Sequence, residues 1–253
     1  MQNLKFNITD NKTLTPQVCA MWLEGCDISA HDAVKSIRPG QFVNIALDGC
    51  YLRRPFSVCD VDENKIRIVY KIVGTGTAIM KDLPVGATLD ILLPLGNGFD
   101  ISLSGNRPLL IGGGVGVPPM LLLAKQLVKR SIAIDVVLGF NTADEIILAD
   151  EFASLGCNVH LATIDGTAGC KGYVTDTPVI AESNTHGSFF YACGPVAMLR
   201  AIQRQLEIPG QISMEERMGC GFGICMGCTC KTSAGTKQVC TNGPVFMKED
   251  IMF

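Results

Sequence analysis

Four cysteines near the C-terminal end carry the densest chemical signal in the chain. Cys220, Cys225, Cys228 and Cys240 stand in GCGFGICMGCTCK and the following QVC, with four, two and eleven residues between them. A 2Fe–2S cluster needs four thiolates, and the run C-x4-C-x2-C followed by a distant Cys is a spacing that supplies them. Three thiolates come from one tight loop and the fourth from a returning segment. Gly219, Gly221, Gly223 and Gly227 suit such a loop, because glycine lets backbone amides approach the sulfurs. A structural zinc site is the competing reading, since zinc also takes four thiolates. Zinc sites usually present two C-x2-C pairs, whereas only Cys225 and Cys228 form one here. Cys230 reads as a non-ligand, and no histidine lies in the segment to make a Rieske-type site. The spacing therefore predicts a one-electron carrier.

The rest of the chain must say between what the electrons move. In Arg53-Arg54-Pro55-Phe56-Ser57 a cation, an aromatic ring and a hydroxyl precede a strand. Such a set suits a flavin nucleotide. Arg54 would pair with the pyrophosphate, Phe56 would pack on the ring or ribityl chain, and Ser57 would bond near the ring. Val69, Tyr70 and Lys71, then Gly76 and Thr77 within GTGT, offer a second wall and amides at a helix start. Further on, GGGVGVPPM at 112–120 follows an apolar strand and opens a helix. Its Gly113, Gly114 and Gly116 fit a phosphate-binding turn, although the run is not the G-x-G-x-x-G of a dinucleotide fingerprint. Cys193, Gly194 and Pro195 repeat that geometry after a later strand, so the two turns are expected to flank one crevice.

These motifs need elements to hold them. Residues 1–103 read as a flavin-binding antiparallel β-barrel, with strands at 4–9, 17–23, 42–47, 56–61 and 66–73 and a short helix at 77–83. Residues 104–212 alternate strand and helix, with strands at 108–111, 133–139, 159–163 and 188–192, which predicts a parallel α/β nucleotide-binding domain. Residues 213–253 switch to Gly, Cys and turn residues and are expected to form a small iron–sulfur domain. The expected fold class is therefore a multidomain arrangement of β-barrel, α/β domain and cluster domain.

Composition narrows the classes. The chain has 253 residues, 47% hydrophobic and 18% charged, with a net charge of −3. That is ample for packed cores and gives no reason to expect nucleic acid or an anionic membrane as partner. The uncharged run at 109–124 holds four glycines and two prolines and is short for a bilayer. The twelve cysteines with no signal-peptide pattern at the start predict a reducing cytoplasm. Cys19, Cys26, Cys50, Cys59, Cys157 and Cys170 are expected as small buried hydrophobes, and His31, His160 and His186 as packing or surface residues.

In order, the R-x-x-S barrel motif, GGGxGxxPM and CGPxxM resemble the ferredoxin–NADP reductase superfamily. The run MGCGFGICMGCTCK…VCTNGPVF narrows this, because it resembles the iron–sulfur electron transfer subunits of NAD-dependent, B-type dihydroorotate dehydrogenases. The resemblance implies FAD held by Arg54, Pro55, Phe56, Ser57, Val69, Tyr70, Lys71, Gly76 and Thr77. It implies a 2Fe–2S cluster on Cys220, Cys225, Cys228 and Cys240, and Cys193 near a nicotinamide. It also implies an FMN-containing catalytic subunit as partner, in a heterotetramer with two of each. No Arg or Lys lies between Arg130 and Lys171, so a 2′-phosphate would lack a cation and NAD is expected over NADP. Two rivals remain open on these residues. One is a reductase subunit of an anaerobic sulfite reductase, a hydrogenase or a ferredoxin–NADP oxidoreductase complex. The other is a zinc-stabilised interaction protein.

Overall fold

The computed structural model describes residues 1–130 and 132–253. Its first body is a closed antiparallel barrel of six strands: β1 (Gln2–Thr15), β2 (Val18–Gly25), β3 (Phe42–Ile45), β4 (Arg54–Asp62), β5 (Lys65–Lys71) and β6 (Thr88–Leu95), in the order β1-β2-β5-β4-β3-β6. Alternation selects the inward side chains. Val43 and Ile45 of β3 join Phe6, Leu23, Ile68 and Ile91 in the barrel core, while Phe42 and Asn44 face the other way. Helix α1 (Ile28–Lys35), capped by the Asp27 carboxylate on the Ala30 amide at 2.8 Å, and helix α2 (Thr75–Lys81) lie between strands.

Two differences from the sequence reading concern closure. β1 runs through Thr15 rather than ending at 9, and β6, absent from the expected strands, pairs with both β1 and β3 to shut the barrel. β6 ends in LLPL, and its proline disguises a strand that the inward Leu89, Ile91 and Leu93 otherwise make plain.

The second body is a seven-stranded sheet built from β7 (Pro108–Gly113), α3 (Pro118–Val128), β8 (Asp135–Phe140), α4 (Ala149–Ser154), β9 (Asn158–Thr163), β10 (Cys170–Lys171), α5 (Pro178–His186), β11 (Phe189–Cys193), α6 (Val196–Gln205) and β12 (Gly210–Ser213). After the hairpin β13 (Thr229–Thr232) and β14 (Gly235–Gln238), β15 (Val245–Met247) returns antiparallel to β12. The order is β10-β9-β8-β7-β11-β12-β15, parallel except at its last edge. The C-terminal segment thus completes the nucleotide sheet. Lys248 reinforces the join by donating to the Leu206 and Ile208 carbonyls at 2.8 and 2.7 Å.

The bodies share cores. Val18, Ala20, Cys59 and Val69 of the barrel are buried among α3, β8 and β11, and Phe42 and Leu95 pack with Ile212, Cys228, Cys240 and Phe246. Beside the first seam Lys125 pairs with the buried Asp60, and Arg67 grips Glu151 with bonds of 2.7 and 2.9 Å. No helix among the described residues is long and apolar enough to cross a membrane. Of the six cysteines expected inside, Cys19, Cys59 and Cys157 are buried, but Cys26 is exposed and Cys50 and Cys170 are half-buried, because they sit in turns or on an edge strand.

Candidate functional site

The sheet order changes direction at β7. β8 follows on one side, and β11 arrives on the other. The carboxyl ends of β7 and β11 therefore frame the crevice where ligands bind in such sheets. The turn after β7 and the turn after β11 meet backbone to backbone. A side chain at Gly116 would begin 2.3 Å from the Cys193 carbonyl oxygen, and one at Gly194 would strike Met198 at 2.4 Å. Two cavities open from this junction, of about 370 and 460 Å³. Gly113, Gly114, Phe140, Asn141, Glu145 and Pro195 line both. The first extends over Tyr173 and Ala201, and the second runs to Thr15–Val18 and Lys71 of the barrel, past Gly194, Gly116 and Glu215. Cys193 ends β11 behind this turn, its thiol pushed up to about 12 by burial.

Glu145 is a residue that motif reading passed over. Its carboxylate accepts from the Asn141 side-chain amide at 2.6 Å and from the Asn141 N–H at 3.2 Å, just past the end of β8. An acid in that place can accept from ribose hydroxyls and repels a 2′-phosphate. The signal was present as an acidic pair, Asp144-Glu145, a few residues after a strand in a stretch without cations.

In the barrel the two arginines part company. Arg53 is consumed within the fold, bonding Asp90 Oδ1 at 2.5 Å, the Asp90 carbonyl at 3.0 Å and Asn3 at 3.1 Å. Arg54 has only the Leu52 carbonyl as partner among the described residues, and it lies over Gly76, where a Cβ would come within 2.7 Å of its Nε. Gly76 thus gives Arg54 its room. Thr77 accepts from the Val73 and Gly74 amides at 3.0 and 3.2 Å, fixing the start of α2 beside it. Phe56 is half-buried and its ring stands 5.7 Å from that of Tyr70. Tyr70 itself is turned into the barrel, so its ring offers a ligand only support behind Phe56. Val69 is buried in the seam between the bodies, and Lys71 reaches the second cavity. Pro55 and Ser57 share the outer face of β4, and Ser57 Oγ has no partner among the described residues. A free cation, a free hydroxyl and a braced aromatic ring, in reach of the nucleotide crevice through Lys71, fit a flavin nucleotide.

The cysteine loop is organised around sulfur. Cys220 Sγ receives the amides of Phe222, Ile224 and Cys225 at 3.5, 3.3 and 3.5 Å. Desolvation opposes ionisation there, but those amides together with the Cys225 thiol hold Cys220 down to about 6. Cys225 Sγ receives the Cys220 amide at 3.4 Å, and Cys228 Sγ receives the Cys240 amide at 3.4 Å. The thiols therefore stand as two pairs, Cys220 with Cys225 and Cys228 with Cys240, the second pair buried and Cys225 exposed. Burial, then the neighbouring Cys228, pushes Cys240 up to about 12. Among the described residues no three ligating side chains converge around a single point. Two pairs with amides aimed at sulfur suit two irons with two thiolates each. Cys230 lies in β13, buried against the apolar packing of the C-terminal segment.

Comparison with known proteins bears on both sites. Residues 215–252 match the family model for the iron–sulfur cluster binding domain of dihydroorotate dehydrogenase B, and residues 110–204 match the oxidoreductase NAD-binding domain. The chain is 45% identical over 230 residues to the electron transfer subunit of dihydroorotate dehydrogenase B (NAD(+)) of Fusobacterium nucleatum, covering 86% of this chain and 88% of the relative. It is 38% identical to the corresponding subunit of a Geobacillus species, covering 100% of this chain and 99% of the relative. Among solved structures it is similar to one from a study of flavin-based electron bifurcation by an NADH-dependent reduced ferredoxin–NADP oxidoreductase, with a TM-score of 0.86, 31% identity and coverage of 98% of this chain and 89% of that one. It shares its fold with the FAD/NAD-binding domain of a Vibrio cholerae nitric oxide dioxygenase, at 22% identity and a TM-score of 0.67, over 81% of this chain and 93% of that one.

Proposed function

Since the chain belongs to the family of dihydroorotate dehydrogenase B electron transfer subunits, we propose that its two sites form one electron path to NAD. It is an oxidoreductase subunit with FAD, a 2Fe–2S cluster and NAD as its cofactors, serving pyrimidine biosynthesis with a catalytic dihydroorotate dehydrogenase partner. Bound together, the flavin exchanges hydride with the nicotinamide and single electrons with the cluster.

The residues divide the work. Arg54 would hold the flavin pyrophosphate at the start of α2, where Gly76 and Thr77 lie. Phe56, braced by Tyr70, would supply the aromatic contact to the flavin, and Pro55, Ser57, Val69 and Lys71 would complete its site. Gly113, Gly114 and Gly116 would admit the nucleotide phosphates, Cys193, Gly194 and Pro195 would border the nicotinamide, and Glu145 would select NAD over NADP by meeting the ribose hydroxyls. Cys220, Cys225, Cys228 and Cys240 hold the cluster. The observation that carries this reading is the pairing of four thiols, with three amides turned onto one of them.

The partner brings FMN and the carbon-acid chemistry, in a heterotetramer with two of each subunit. Exposed Ile224 and Met226 flank Cys225, which supports electron entry at that edge. The thiols need a reducing compartment, which supports a cytoplasmic location. Purified alone, the chain should reduce artificial acceptors with NADH and leave dihydroorotate untouched. Dihydroorotate oxidation by the isolated chain would overturn the division of labour. The likeness to the bifurcating reductase supports a second reading, in which this chain serves a ferredoxin–NADP oxidoreductase complex. Co-purification from the native source separates the two by the identity of the bound subunit.

A further inference from the structure

One polar side chain lies buried between the flavin-binding strands and the cysteine loop. Asn44, in the middle of β3, is 1% exposed. Its strand neighbours Val43 and Ile45 point into the barrel, so Asn44 and Phe42 point out of it. Register sets Asn44 against Pro55 and Phe42 against Ser57, on the same outer face. Asn44 Nδ2 donates to the carbonyl of Cys220 at 2.9 Å, across 176 residues of sequence. The next residue, Gly221, has φ +78, and a Cβ there would meet Asn44 Nδ2 at 2.5 Å. The amide and the loop backbone are therefore matched without slack. The other end of the amide, Asn44 Oδ1, is buried with no hydrogen-bond partner. An amide kept inside at the expense of an orphaned oxygen is held there for what its nitrogen does.

We propose that Asn44 is a positioning residue, which locks the Cys220 end of the cluster loop to the strands that carry Pro55 and Ser57 and thereby sets the cluster's reduction potential and its electron exchange with the flavin. It touches neither group's reacting atoms. It acts through Cys220, whose sulfur takes three amides from the turn that begins at the anchored carbonyl. Release of that carbonyl lets the turn shift, and the N–H···S bonds that stabilise the reduced cluster lengthen. The proposal rests on the four-cysteine ligand set.

The test uses the full chain with its native cofactors and three variants: Asn44→Asp, which turns the donor into a repelling acceptor, Asn44→Leu, which removes it, and Asn44→Ser, which keeps a shorter donor. Iron and FAD content, the cluster's EPR spectrum and midpoint potential, and the rate of cluster reduction after NADH reduces the flavin are measured. The expected result is normal FAD content and normal flavin reduction by NADH in all three. Asn44→Asp and Asn44→Leu should show a lowered midpoint potential and cluster reduction at least tenfold slower, or loss of iron with FAD retained, and Asn44→Ser should restore part of the rate. Potential and rate within twofold of wild type in iron-replete Asp and Leu variants would overturn the proposal, as would loss of FAD together with iron in every variant. A wild-type protein without a 2Fe–2S spectrum would instead overturn the ligand set on which it rests.

Discussion

The two glycine-rich turns of this molecule are built in opposite ways. The nucleotide turn at 112–116 is packed against other backbone, so that a methyl group at Gly116 would collide with the Cys193 carbonyl at 2.3 Å. Its shape is fixed by the sheet on which it sits. The cysteine turn at 219–228 is packed only at its base, where Phe222 and Cys228 meet the core. Ile224, Cys225 and Met226 are exposed, and the loop is held by N–H···S bonds, by Asn44 on the Cys220 carbonyl and by Gln238 Nε2, which donates to the Gly223 carbonyl at 3.1 Å. A nucleotide that comes and goes needs a site ready before it arrives. A resident cluster can supply much of the order in its own loop, since metal binding and local folding share one free energy.

That contrast predicts opposite failures. Replacing Cys220, Cys225, Cys228 or Cys240 by Ala should abolish the iron signal while leaving FAD content and NADH-dependent flavin reduction close to wild type, and Cys230→Ala should retain two irons per chain. Iron analysis with visible spectra checks this, and loss of iron from the Cys230 variant would show that the ligand set is wrong. Gly116→Ala should do the reverse. Overpacking of this kind costs roughly 1–3 kcal/mol, and the distortion falls on the phosphate site, so the KM for NADH should rise at least tenfold with iron content unchanged.

Within the barrel the same logic separates neighbours. A charge-assisted bond to phosphate contributes about 1.5–3 kcal/mol. Arg54→Ala should therefore weaken FAD retention by about tenfold or more on that basis. Arg53→Ala should instead lower thermal stability with a smaller effect on flavin, because Arg53 is spent on Asp90 and Asn3. Equal flavin content in wild type and the Arg54 variant would remove Arg54 from the site.

The smallest effect concerns the thiols of iron-free protein. Cys220 is held down to about 6, whereas Cys193 and Cys240 are raised to about 12. A depressed thiol is already thiolate above its folded pKa, so Cys220 should be alkylated by iodoacetamide at pH 7 and lose that reactivity as pH falls below 6. Cys193 and Cys240 should stay unmodified through pH 8. Peptide mapping by mass spectrometry reads each site, and faster labelling of Cys193 than of Cys220 would contradict the difference between the turns.

Sequence carried the chemistry further than the architecture. The cysteine spacing, the second arginine of RRPFS and the paired turns were legible because each is a short run whose residue types answer a chemical need. What escaped depends on distant partners. β6 reads as a strand only once β1 and β3 stand on either side of it, and its Pro94 argued against it. β12 and β15 are four and three residues long, too short for periodicity, and they exist because each completes the other's edge. Tyr70 alternates correctly within its strand, but which face of a barrel strand is inside follows from closure. Glu145 and Asn44 belong to no motif, and their roles appear only when the ends of β7, β8 and β11, or the barrel and the cysteine loop, are brought together.

In the proposed path this chain carries electrons from a dihydroorotate-oxidising partner to NAD. The direct measurement mixes the purified, iron-replete, FAD-loaded chain with the dihydroorotate dehydrogenase catalytic subunit from the same source and follows absorbance at the NADH band after dihydroorotate is added. NADH formation should need both proteins and be lost with Cys225→Ala. Absence of NADH formation from the complete, cofactor-replete pair, or equal formation with the Cys225 variant, would contradict that path.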